Sequence, residues 1–224
     1  MIVKPKLICC PVRSQEVAGT RRTTSGRQSA RNRFAASALV VGGLVMTALF
    51  VPFTLAHGPT SFNEEQELLG HDMHFWGLLL GVVPNVLIGA GFWAFRGRVA
   101  GGRRLAFIAC TVICAVLWLS AAMDLAFGAL GAPFGLLLIA PTVVVACLGS
   151  APRGPAKVGV RVVLAVLGAT LISASIMIFL PEKTSDSFGG YRIFGLMAYG
   201  AAGILWACLG LVLDGPDEGD SASS

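Results

Sequence analysis

The sequence predicts an all-α fold: a polytopic integral membrane bundle of about six transmembrane helices with both termini cytoplasmic. Three observations carry that reading. Of the 224 residues, 55% are hydrophobic and only 13% charged, and the mean hydropathy of +0.75 places the chain mostly in lipid. The charged residues gather in the first 33 positions, in short interruptions and in the last 11. Six apolar runs separate them, each near the roughly 20 residues that cover a hydrocarbon core about 30 Å thick.

The chain opens with a basic arm, residues 1–36, holding eight of the seventeen Lys and Arg residues. Its Ser, Thr and Arg content reads as a disordered cytoplasmic segment. It does not read as a secretory signal, because no apolar core follows Lys4 and Lys6 before the Arg-rich stretch. The transmembrane domain, residues 37–213, follows with spans at about 37–56, 75–95, 105–127, 132–149, 162–180 and 193–213.

The first span carries no charged residue. The second carries Pro84 and Asn85 near its middle, where a proline frees a backbone carbonyl that a substrate or ion can use. That makes the pair a candidate substrate path, against the commoner reading of a structural kink. The link "RGRVAGGRR" leads to the third span, which holds Asp124 and the pair Cys110 and Cys114. Cysteines four apart share a helical face and read as small packing residues, with soft-metal binding as the competing reading. The "GALGA" hairpin opens the fourth span, which is the shortest and contains Pro141. Ser173 and Ser175 in the fifth span are suited to hydrogen bonds between helices. An acidic tail, residues 214–224, ends the chain.

Orientation follows from the cations, since Lys and Arg favour the cytoplasmic flanks of spans. The arm, the 96–104 link and the 150–161 link hold fifteen of the seventeen; only Lys183 and Arg192 fall on the other side. Six crossings make the count close, with residues 57–74 and 181–192 outside. The same positions explain the net charge of +5 without a nucleic-acid partner. The expected partners are the lipid bilayer of the plasma (inner) membrane and other membrane protein subunits.

The outer stretch "HGPTSFNEEQELLGHDMH" holds all three histidines and four of the twelve acids. Ser61 to Glu64 has the form of a helix-capping box, which would start the second helix outside the membrane. On such a helix Glu64, Glu67, His71 and His74 fall on one stripe, a donor set suited to a divalent metal ion such as zinc, copper, manganese or iron. The competing reading is a solvated helix whose acids face water. Asp124 is the one acid inside an apolar run and is expected at the depth of the histidines. An acid there is costly unless it faces the bundle interior, so Asp124 joins the cluster as a metal ligand, a proton carrier or a cation site.

No phosphate-binding, dinucleotide-binding or nucleophile-elbow pattern occurs. The sequence therefore favours a non-enzymatic small transporter or accessory subunit with an outward-facing cation or proton site. Two alternatives share the architecture: an intramembrane metal-dependent enzyme acting on a lipid-soluble substrate, and a structural interaction partner.

Overall fold

The computed structural model describes residues 14–56, 67, 70–127, 132–149, 156–178 and 193–214. Nearly all of them are helical. Helix α1 is Ser14–Ala56. Helix α2 is an α-helical turn Met73–Gly77, a π-helical turn Leu78–Val82 and the α-helix Val83–Ala100. Helices α3, α4 and α5 are Arg104–Phe127, Ala132–Gly149 and Ala156–Ile178. Helix α6 spans Ile193–Asp214 and contains a π-helical turn at Leu196–Ala201.

Five of these helices, all except α4, are long and apolar enough to cross a membrane. Helix α4 has 18 residues and an apolar stretch at Leu138–Gly149. At 1.5 Å per residue it covers about 27 Å, which is consistent with six crossings. Pro141 stays inside it, and the Thr142 hydroxyl donates to the Leu138 carbonyl at 2.8 Å around that position.

The basic arm differs from its expectation. Helix α1 begins at Ser14, within the segment expected to be disordered, and runs unbroken into the first span. Between Ala30 and Val41 the sequence contains no glycine or proline, and Ala, Arg and Gln are good helix formers, so the span's helix can propagate outward past its apolar end.

Each helix packs on its neighbours in sequence, and α6 returns to α1, so the six close into a ring. Two adjacent glycines of α1 make the closure possible. Gly42 faces α2, where a Cβ would lie 2.9 Å from Ile88 and Leu87; Gly43 faces α6, where a Cβ would collide with the Gly203 carbonyl. The Thr47 hydroxyl donates to the Gly43 carbonyl at 3.1 Å within α1 and to the Gly200 carbonyl of the α6 π-turn at 2.9 Å. Close backbone approach of this kind replaces the hydrophobic drive that lipid-soaked helices lack.

The buried core runs through the ring: Leu39 from α1, Ile88, Phe92 and Phe95 from α2, Ile113 from α3, Val143 from α4, Leu164 and Leu167 from α5, Leu209 from α6. Phe92 meets Trp206 edge to face with centroids 5.4 Å apart.

One end of the bundle collects the cations. The Arg98 guanidinium donates to the Leu213 carbonyl at 2.9 Å, joining the last turns of α2 and α6, while a Cβ at Gly149 would lie 3.1 Å from Ala106, joining the end of α4 to the start of α3. Arg33, Arg96, Arg98, Arg103, Arg104 and Arg161 therefore share that end. The α2–α3 hairpin there is made by Gly101 and Gly102, at φ 56° and 85°, a left-handed pair that only glycine adopts without strain.

The ring predicts a contrast between two glycine substitutions. Gly43→Val should cost about 2 kcal/mol or more, because neither the Gly203 carbonyl nor the Ala207 backbone can retreat. Gly97→Ala, where a Cβ meets nothing within 4 Å, should be neutral or gain up to about 1 kcal/mol. Unfolding of the purified protein in mixed micelles titrated with SDS reads both; equal effects would contradict the packing.

Candidate functional site

The second helix starts later than the sequence suggests. Gly70 sits at φ 76°, and Asp72, extended at φ −70° and ψ 167°, caps the helix that begins at Met73. The Phe75 amide donates to the Asp72 carboxylate at 2.7 Å, satisfying one of the free amides of the first turn. The expected cap at Ser61 to Glu64 lies outside the described residues, as do Glu64 itself and His57.

Of the expected stripe of Glu64, Glu67, His71 and His74, the last three are described, and they do not lie on one helix. Glu67 and His71 precede the helix, the left-handed Gly70 separates them, and only His74 stands in the first turn. Glu67, His71 and His74 are all exposed. The His71 ring stacks on Phe75 with centroids 4.1 Å apart and meets the edge of Trp76 at 6.5 Å. Trp76 in turn lies 5.8 Å from Phe53 of α1, and Phe50 stacks on Tyr199 of α6 at 3.7 Å. This is an aromatic belt tying α1, α2 and α6 together at the end opposite the arginines, of the kind that sits at a membrane interface. Among the described residues, no three His, Cys, Asp or Glu side chains gather closely enough to hold a metal ion.

Asp124 is placed differently. It is 1% exposed on α3, and its carboxylate occupies the space where a Cβ of Gly81 would be. Gly81 belongs to the π-turn Leu78–Val82 and is buried. Pro84 explains the turn: it has no amide hydrogen, and its ring crowds the carbonyl four residues back, so the chain takes one extra residue in the preceding turn. The result is a notch in α2 that a glycine lines and a carboxylate enters.

Seven residues separate His74 from Gly81, so Asp124 lies about 10 Å deeper along α2 than His74. The expectation that it shares the depth of the histidines is corrected by this contact. Its own position near the end of α3 is unchanged, but α2 extends further out than α3 does.

Helices α2 and α3 run antiparallel. Asn85, one turn inward of Gly81, stands level with Ser120, one turn inward of Asp124, and Ser120 is buried. The structure therefore brings Asp124 to the level of Pro84 and Asn85 and leaves His71 and His74 at the rim. Three features were not read from the sequence. Gly81 has no expected role in the sequence, neither π-turn is expected there, and Arg96 enters only through the cation count. Pro84 signals the first turn; nothing in the residues of Leu196–Ala201 signals the second.

Comparison with known proteins gives a family. The family described as "Uncharacterized membrane protein (DUF2298)" matches residues 5–192. The chain belongs to that family. The match covers α1 to α5 and stops short of α6. No curated protein and no solved structure matches the chain. Membership agrees with the multi-pass bundle and with its place in a lipid bilayer.

The notch predicts coupling between its two halves. Gly81→Ala should destabilise by about 1–3 kcal/mol by forcing the carboxylate out. Combining it with Asp124→Ala should recover about 1 kcal/mol or more relative to the sum of the single changes. Additive effects in SDS-titrated unfolding would separate the two residues.

Proposed function

We propose that this protein is a small transporter or accessory subunit of the plasma membrane whose working group is Asp124, exchanging a proton or a cation with the outside. The observation that carries the reading is the burial of the Asp124 carboxyl against the Gly81 π-turn. An ionisable group inside a membrane bundle is costly and is retained where it moves charge. A π-turn redirects backbone carbonyls that a cation or a protonated carboxyl can use.

In this reading the rim residues Glu67, His71 and His74 form an acidic, imidazole-bearing mouth that concentrates cations, with Glu64 of the same stretch adding its charge. Asp124 is the binding group below it, and Pro84 and Asn85 line the continuation inward. Both termini and the arginine end face the cytoplasm, in keeping with the cation count.

Two outcomes test the proposal. Asp124→Asn, reconstituted in proteoliposomes and followed with an entrapped pH-sensitive or cation-sensitive dye, should lose flux at least tenfold while inserting and unfolding like the parent chain; undiminished flux removes Asp124 from the role. For orientation, Thr60→Cys in whole cells should react with a membrane-impermeant maleimide applied outside. Labelling only after permeabilisation would reverse the orientation and with it the mouth.

A further inference from the structure

The basic end of the bundle holds an arginine whose hydrogen bonds are incomplete. The Arg96 guanidinium lies over the Trp93 ring, 3.3 Å from its centroid, and 5.2 Å from the ring centroid of Phe107 of α3. Its Nη1 donates to the Trp93 carbonyl at 2.9 Å. Its Nε is buried and has no hydrogen-bond partner. A guanidinium carries five N–H donors in a planar fork that matches the oxygens of a phosphodiester, and a buried donor left unsatisfied costs free energy.

No carboxylate is at hand in the same helices, for the sequence holds no Asp or Glu between Asp72 and Asp124. Arg98, the nearest other cation on α2, is engaged with the end of α6. Below Arg96 the outer wall of the α2–α3 pair is aromatic. Trp93 and Trp118 lie 5.6 Å apart, both 38% exposed, and Phe107 is 41% exposed. The Trp118 indole reaches across to α2, occupying the space where a Cβ of Gly89 would be. Arg103 and Arg104 stand exposed just beyond.

We infer that the Arg96–Trp93–Phe107 cleft between α2 and α3 is a binding site for one anionic phospholipid. The phosphodiester takes the half-buried guanidinium of Arg96, Arg103 and Arg104 add field for a net negative headgroup, and an acyl chain lies along Trp93 and Trp118. At headgroup depth a phosphate is the anion a bilayer supplies, and basic clefts between helices select negative lipids over zwitterionic ones. The site is at the opposite end of the α2–α3 pair from Asp124 and stands independently of the role proposed for that residue.

The test is tryptophan quenching in the full chain reconstituted with brominated phosphatidylglycerol or brominated phosphatidylcholine. The parent should favour the anionic lipid by about fivefold in relative binding constant. Arg96→Gln should bring the ratio close to one, and Arg96→Lys, which keeps the charge and loses the fork, should about halve it. Arg103→Gln with Arg104→Gln should lower it less than Arg96→Gln does. Equal quenching by the two lipids in the parent overturns the site. So does a preference that survives Arg96→Gln, or one that falls as far with the Arg103 and Arg104 pair. Should Arg96→Gln fail to fold, an unchanged ratio in Arg96→Lys overturns it equally.

Discussion

The bundle depends on the two-sided approach of α1 to its neighbours through Gly42 and Gly43. Lipid chains are as apolar as leucine, so helices in a membrane gain nothing from hiding hydrocarbon and must associate by contact and hydrogen bonding. Successive residues on a helix point about 100° apart. Two adjacent glycines therefore serve two different partners, α2 through Ile88 and α6 through Gly203. A side chain at Gly42 would push α2 away from α1, and one at Gly43 would open the seam where the last helix returns to the first. The Thr47 bond to the Gly200 carbonyl works at the same seam, since it gives the widened turn of α6 a partner from α1. A π-turn leaves carbonyls poorly served by its own helix, and in hydrocarbon each must be met by protein.

The two π-turns sit on the two helices that flank α1, and both lie toward the aromatic end. Their causes differ. The turn in α2 follows from Pro84, whose missing amide would otherwise leave a gap in the hydrogen-bond ladder. The turn in α6 has no proline, and its support comes from outside: Thr47, and Phe50 stacked on Tyr199 within the turn. One irregularity is thus written locally and the other is imposed by packing. Only the first opens beside an acid, because Gly81 supplies the space that Asp124 fills.

This division explains how much was legible in the sequence. The multi-pass helical bundle and the clustering of cations at one end follow from hydropathy and charge, which act residue by residue. Asp124 also stood out, because an acid inside an apolar run is conspicuous by itself. Its neighbour did not, because which residue of α2 meets it depends on the register between two helices, and that register is a property of the pair. The histidine stripe failed for a local reason that the residues do contain. Gly70 takes a left-handed conformation and Asp72 caps the helix, so "GHDMH" reads as a start signal placed after His71. The aspartate two residues after a glycine caps the helix that begins at Met73, while the capping box expected at Ser61 to Glu64 lies outside the described residues. Arg96 escaped notice for the opposite reason: counting it toward topology accounted for its charge and left its geometry unasked.

Helices α2 and α3 carry the polar features at both ends, and their register ties those ends together. Gly81 and Arg96 are fifteen residues apart on α2, while the residues that meet them on α3, Asp124 and Phe107, are seventeen apart. The near-equality makes the two contacts rungs of one antiparallel ladder, with the Gly89 and Trp118 contact between them. The Gly101–Gly102 hairpin allows little slack in that ladder, since two left-handed residues and one further bond, from the Arg103 amide to the Ala100 carbonyl at 3.0 Å, complete the turn. The contact of Arg96 with Phe107 and that of Asp124 with Gly81 therefore hold one and the same register of α2 against α3. Helices α1 and α6 serve as the frame against which α2 and α3 are set, with Arg98 fixing the end of α2 to the end of α6.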